Sequence, residues 1–316
     1  MRISAGSWKN AGRSNSPWNS NLAASNMTKS FFSELELYTL ISDQVEIVPM
    51  PAKSVILADL YTGVPLGVYT MMRTYEHNKF LHLREHLIRL DKSMATLGWD
   101  FQLEIKALRH GLHKVCTEYG QEDARVRIDV LAKGESEAAA GSRVLISLQP
   151  FLPIPESVYQ DGVRVNIEPA LSRKQPEVKK AEFAVTRREY LERDPYRYEY
   201  LMTDDDGHIL EGTTSNFFGV LNGVLWTADR GVLEGIARMI ILKLAEEAQI
   251  PVRLDSLKAN DLPTISESAL SSASRGLVPI VQIGDLMIGD GYPGQVTRTL
   301  IRAYDGYVKR MITTAI

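Results

Sequence analysis

The sequence predicts an α+β protein of two domains. Three observations carry this. An amphipathic helix lies beside alternating strands in the first half, a proline cluster sits near the middle, and two glycine-turn hairpins lead into a helix in the second half.

Residues 1–30 carry Arg2, Lys9, Arg13 and Lys29 and no acid among many Ser and Asn, which reads as a polar tail. The same composition resembles an organelle transit peptide, so import by this segment is the alternative to the expected cytoplasmic location. The first domain is expected over 31–149. Leu83, Leu87, Leu90, Met94 and Leu97 recur at spacings of four and three, one apolar stripe of a helix over about 80–97. Val126, Ile128 and Val130 alternate as in a half-buried strand, and Val144 to Leu148 reads as another. Pro150, Pro153 and Pro155 cannot sustain a helix or a central strand, so 150–158 is expected to be a linker.

The second domain is expected over 159–316. It restarts with a strand at Val163–Ile167, followed by a charge-rich segment over 172–195 with no clear period. Strands at 200–203 and 208–210 flank Asp204-Asp205-Asp206-Gly207, and strands at 216–221 and 224–227 flank Asn222-Gly223. Asp-Gly and Asn-Gly supply the positive φ angles that tight hairpins need. Helices are expected over about 236–248 and 295–312.

Composition excludes several classes. The chain has 316 residues, 44% apolar and 24% charged, as in a globular protein with a sizeable core. A net charge of −3 gives no overall attraction to nucleic acid or an anionic membrane, and no apolar run reaches membrane-span length. The single cysteine, Cys116, cannot form an internal disulfide. His82-Leu83-Arg84-Glu85-His86 matches an inverted zinc-protease pattern, but without a third ligand it reads as a solvated helix face. Asp204 to Ser215 lacks the final glutamate of a calcium loop. No metal is expected.

A more specific constellation remains. Glu211-Gly212-Thr213-Thr214-Ser215-Asn216-Phe217-Phe218 places a carboxylate at a strand end. Leu233-Glu234-Gly235-Ile236-Ala237-Arg238 is a glycine turn opening a helix, whose first N–H groups are unpaired and suit an anion. Lys179-Lys180 lies upstream, and Arg89 sits beside the apolar stripe. Each has a plain alternative: a strand-end acid, an ordinary helix start, surface lysines, a snorkelling arginine.

Their order and spacing resemble the fold-type IV pyridoxal 5′-phosphate (PLP) enzymes. These are the class-IV aminotransferases, among them the branched-chain and D-amino acid aminotransferases, together with the 4-amino-4-deoxychorismate lyases. The resemblance covers residues 66–316. It rests on the two runs above, on Gly67-Val68-Tyr69 with Phe80, Glu85-His86-Leu87, Arg89-Leu90 and Ser93, and on Ser271-Ser272-Ala273-Ser274-Arg275-Gly276 with Pro279-Ile280.

The resemblance implies a two-domain D-amino acid aminotransferase-like fold with PLP in the cleft. Lys179 would be the catalytic lysine, with Lys180 as the register alternative. Arg89, the backbone of Ile236 and Ala237, and Ser272 and Ser274 would hold the phosphate. Glu211 would pair with the pyridine nitrogen, and Tyr69 and Arg127 would face the substrate. The implied reaction moves an amino group between an amino acid and a 2-oxo acid, in a homodimer. The alternatives are a 4-amino-4-deoxychorismate lyase and a degenerate homologue without turnover. The chain departs from the pattern in four places. Phe183 and Ala184 stand where a tyrosine is common, Thr70 where a glutamate is, and Ala273 where a phosphate-binding threonine is. Arg275-Gly276 is also atypical.

Overall fold

The computed structural model describes residues 35–41, 44–48, 67–132, 141–183, 186–187, 190, 194 and 197–314. The tail over 1–30 lies outside the described residues. The first half forms strands β1 (Glu36–Ile41), β2 (Gln44–Ile47), β3 (Val68–Tyr75), β4 (Lys79–Phe80), β5 (Ala124–Val130) and β6 (Val144–Pro150), with helices α1 (Leu83–Thr96) and α2 (Ile105–Glu118). The strands pair antiparallel in the order β2-β1-β6-β5-β3-β4.

Alternation decides the two faces of this sheet. Met72, Val126, Ile128 and Ile146 point to one face, and Leu87, Leu90 and Met94 of α1 and Leu108, Leu112 and Val115 of α2 pack against it. Tyr69, Met71 and Arg73 of β3 lie in register with Asp129, Arg127 and Arg125 of β5, and these alternate to the other face. The sequence reading missed α2. Its stripe is interrupted by Gly111, a breaker signal, yet the missing side chain is what admits Val45, since a Cβ there would lie 2.1 Å from Val45 Cγ2.

β6 runs through Pro150, one residue into the expected linker, because Pro150 pairs with Ala124 at the sheet end. Residues 151–155 carry no helix or strand, and the short helix α3 (Glu156–Asp161) follows. The second half comprises β7 (Val163–Ile167), β8 (Glu199–Thr203), β9 (Ile209–Gly212), β10 (Asn216–Leu221), β11 (Val224–Thr227), α4 (Ile236–Glu247), β12 (Val252–Leu254), β13 (Glu267–Ser272), β14 (Gly276–Ile283), β15 (Leu286–Met287) and α5 (Gln295–Thr314). Both expected hairpins form, with Gly207, Asn222 and Gly223 at positive φ.

β10, β13, β14, β7, β8 and β9 follow one another, and β9 pairs back to β10 through Glu211 and Asn216, so this sheet closes on itself. The neighbours Phe217 and Phe218 show how the strands serve two cores. Phe217 joins Val165, Leu201, Leu270 and Val278, whereas Phe218 joins Ala269 and Leu277 beneath Ile240, Ile241 and Leu244 of α4 and Leu300 and Tyr304 of α5. Glu267 of β13 accepts from the N–H groups of Val296 and Thr297 at 3.0 and 2.7 Å, which ties α5 to the sheet. No helix among the described residues is long and apolar enough to cross a membrane.

Leu90 is a sensitive point because its side chain is fully buried on the helix that carries Arg89. Leu90→Ala should lower stability by about 2–5 kcal/mol, from lost burial plus the cavity left behind. Urea unfolding measures this, and a change within error would mean that α1 does not pack as described.

Candidate active site

Gly67 to Tyr69, at the start of β3, also pair with residues 179–181. The Tyr69 N–H donates to the Lys179 carbonyl at 3.0 Å, and the Ala181 N–H donates to the Gly67 carbonyl at 2.8 Å. In this antiparallel bridge Lys180 is opposite Val68. Lys179 is therefore opposite Tyr69 and shares its face, with Nζ 5.1 Å from the ring centre. Lys179 lines a cavity between the two sheets, and Lys180, one step along the pleat, does not.

The cavity is lined by Arg89, Arg173, Lys179 and Glu211, by Thr214 to Asn216, by Gly235 to Ala237 at the start of α4, and by Ser271 to Ala273. Three cations thus face one carboxylate. Burial lowers Lys179 to about 7, and Arg89, Arg173 and Arg187 add to this while Tyr69 opposes it. For Tyr69, burial raises the phenol, but Lys179, Arg187, Arg127 and Arg173 outweigh it and bring it down to about 7. Burial also pulls Arg89 down to about 10.

Glu211 reaches the cavity because β9 closes onto β10. Its Oε2 accepts from the Leu233 N–H at 3.1 Å and from Asn216 Nδ2 at 3.3 Å. Asn216 Nδ2 also donates to the Leu233 carbonyl at 2.8 Å, locking the turn before α4. Among the described residues Oε1 accepts no well-formed hydrogen bond, although Arg173 Nη1 lies 3.1 Å away as an ion pair. Burial raises the Glu211 carboxyl, opposed by Arg173 and the Leu233 N–H. Arg89 donates to the Glu234 carbonyl at 3.1 Å and to Thr70 Oγ1 at 3.2 Å, so α1 of the first sheet reaches the start of α4. Gly235 precedes that helix without a side-chain cap.

Ser272 lines the cavity, but Ser274 departs from the expectation. The β13–β14 turn reverses over 273–275, and Ser274 lines a separate cavity with Tyr75, Tyr159 and Tyr304. Tyr69 and Arg127 are not among the cavity-lining residues. They stack behind Lys179, with the Arg127 guanidinium 4.0 Å from the Tyr69 ring and held by Asp129 at 2.6 and 2.8 Å. The expected solvated face at His82 and His86 is also corrected. His86 is buried and hydrogen-bonded to Thr70 at 2.8 Å, and His82 reaches the Tyr307 hydroxyl at 2.7 Å. Separate partners hold the two rings.

Sequence reasoning missed Arg173, Ser271 and Glu199. Arg173 lay in the segment without a period. Ser271 has a buried hydroxyl with no hydrogen-bond partner among the described residues. Glu199 is an acid inside the apolar run Tyr198 to Met202, a signal that was present. It is 1% exposed and collects Thr213, Thr214, Ser215 and Arg275 around its carboxylate.

Gly235 has no room for a side chain, because a Cβ would lie 2.0 Å from Asn216 Oδ1. Gly235→Ala should displace Asn216, loosen Glu211 and reduce turnover about 10-fold or more while the core stays folded, by analogy with misplacement of a positioned group. Steady-state kinetics beside a melting curve check this. Unchanged kinetics would disconnect the turn from the reaction.

The chain has known relatives. The family described as Amino-transferase class IV matches residues 67–283. A Thermotoga maritima protein named "probable branched-chain-amino-acid aminotransferase" is 30% identical over 252 residues, covering 77% of this chain and 86% of the relative. A Staphylococcus epidermidis D-alanine aminotransferase is 23% identical over 257 residues, covering 77% and 88%. Among solved structures, Escherichia coli branched-chain amino acid aminotransferase superposes with a TM-score of 0.68 at 22% identity, over 86% of this chain and 93% of that one. The branched-chain aminotransferase from Thermoproteus uzoniensis, solved with norvaline, gives 0.69 at 20% identity, over 88% and 95%. The fold thus recurs in solved aminotransferases, and the chain belongs to the class IV aminotransferase family.

Proposed function

We propose that the cavity binds PLP and that Lys179 is the residue bonded to it. The observation that carries this reading is that one cavity holds a half-buried lysine, a buried carboxylate and an uncapped helix start beside a buried arginine. The donor set fits the cofactor. Arg89 and Arg173 suit a phosphate-bearing ligand, and among the described residues Glu211 Oε1 and Ser271 Oγ lack hydrogen-bond partners that such a ligand can supply.

Bound there, PLP supplies an electron sink for the electrons left when an amino acid loses its Cα proton. Arg89 and the N–H groups of Ile236 and Ala237 grip the phosphate, the arginine by charge and the helix start by unpaired donors. Ser272 lies on the wall beside them. Glu211 holds the pyridine nitrogen in its protonated form, and Asn216 and Leu233 orient the carboxylate by fixing Oε2. Lys179 Nζ takes and returns the substrate proton. Its lowered pKa leaves a useful neutral fraction near pH 7. Tyr69 stands behind Lys179 and raises its pKa against burial, and Arg127 in turn acts on Tyr69. The amino group passes from an amino acid to a 2-oxo acid, and the working unit is proposed to be a homodimer.

Two measurements test the assignment. Borohydride reduction of the holoenzyme and peptide mapping should place the label on Lys179. Capture of PLP by the apoprotein should rise with pH around a midpoint near 7, because only the neutral amine reacts. Tyr69→Phe removes the group that raises Lys179, so the midpoint should move to lower pH. A label on Lys180, or a midpoint near 10, would overturn the site.

Glu211→Gln should still bind PLP but lose about 10²-fold or more in kcat, since a neutral amide cannot balance a protonated pyridine. Half-reactions with amino acids, followed by absorbance and by pyruvate release from aminodeoxychorismate, separate transfer from lyase chemistry. Wild-type turnover in the Gln variant would reduce Glu211 to a strand-end acid.

A further inference from the structure

We infer that Arg275, held by Glu199, is a positioning residue that aims the Ser272 hydroxyl at the cofactor phosphate, an inference that rests on the cofactor reading above.

The inference follows from where each hydroxyl proton goes. A serine or threonine hydroxyl has one proton to give and can accept two bonds. Thr214 Oγ1 donates to Glu199 Oε2 at 2.8 Å, and Ser215 Oγ donates to Glu199 Oε1 at 2.9 Å. Both protons are turned away from the cavity. Ser272 is the opposite case. Its Oγ accepts from Arg275 Nε at 2.8 Å, and no group among the described residues takes its proton. With that lone pair engaged by a cation, the proton is left to point elsewhere, and Ser272 lines the cavity.

Arg275 cannot swing away. Its Nη1 and Nη2 lie 3.3 Å from Glu199 Oε2, Nη2 also donates to Thr214 Oγ1, and the guanidinium sits over Tyr198 at 5.3 Å. Tyr159 donates its hydroxyl to the Arg275 carbonyl at 2.8 Å. Glu199 in turn accepts the Thr214 N–H at 2.5 Å, which makes one rigid unit of the loop after β9 and the turn after β13. At the crest of that turn stands Ala273, which has no hydroxyl and lines the cavity beside Ile236 and Ala237. On this wall Ser271 and Ser272 both keep a proton to give among the described residues, but only Ser272 has its oxygen fixed by a cation, and a hydrogen bond polarised by a neighbouring cation is stronger than one from an isolated hydroxyl.

The test compares PLP with pyridoxal, which lacks the phosphate. Apoprotein variants Ser272→Ala, Arg275→Met and the double variant would be titrated with both, beside melting curves of the holo forms. Each single variant should lose about 10-fold in PLP affinity and little in pyridoxal affinity, consistent with one charge-assisted hydrogen bond. The double variant should be no weaker than either, because both remove the same interaction. Arg275→Lys keeps the charge but cannot span Glu199 and Ser272 together, so it should fall between wild type and Arg275→Met. It also decides the matter if the Met variant does not fold.

Equal losses for PLP and pyridoxal, or fully additive losses in the double variant, would overturn the inference and leave Arg275 a structural clasp. An Arg275→Lys variant with wild-type affinity would overturn it as well. A wild-type protein that binds pyridoxal as tightly as PLP would instead overturn the cofactor reading itself.

Discussion

The site depends on the two hydrogen bonds between Gly67–Tyr69 and Lys179–Ala181. They connect a segment that is remote in sequence to the first sheet, and the pleat of that bridge sends Lys179 into the cavity and Lys180 away from it. Gly67 makes the approach possible. A Cβ there would lie 1.9 Å from the Val130 carbonyl, so any side chain would push β3 off β5 and carry the lysine with it. Lys179 is thus positioned by backbone pairing before any side-chain contact is considered.

Electrostatics then build on that placement. The faces of β3 and β5 that turn from the first core carry Arg73, Arg125 and Arg127, and Arg89, Arg173 and Lys179 surround the cavity. The protein offsets part of this charge with acids it also buries, Asp129 on Arg127 and Glu211 opposite Arg173, and Glu199 does the same for Arg275. What remains is a cavity with a cation surplus, suited to an anion. A buried ion pair is weak evidence for stability. Its use here is geometric, since Glu199 takes up the protons of Thr214 and Ser215 and fixes the walls.

Closure of the second sheet does the same for the acid. Only when β9 returns to β10 does Glu211 lie across from Asn216, and Asn216 simultaneously secures the turn that opens α4. One contact therefore sets the carboxylate and the helix start relative to each other. Arg89 completes the arrangement from the first sheet by reaching the Glu234 carbonyl.

The sequence by itself determined the elements whose signals are local. The apolar stripe of α1, the alternation of β5, the Asp-Gly and Asn-Gly hairpins and the glycine before α4 each depend on residues within a few positions of one another. Arg89, Lys179, Glu211 and Ser272 were legible through motif order. The tertiary structure decided the rest. α2 hid behind Gly111, whose meaning appears only when Val45 is seated against it. Ser274 matched a motif, but the turn over 273–275 carries it to another cavity. His86 shared a helix face with His82 as spacing required, yet packing buried it against Thr70. Glu199, Arg173 and Arg275 gained their partners from segments up to 76 positions away. Local periodicity encodes which face a residue takes; which charge meets it there is set by long-range pairing, and no short window of sequence contains that information.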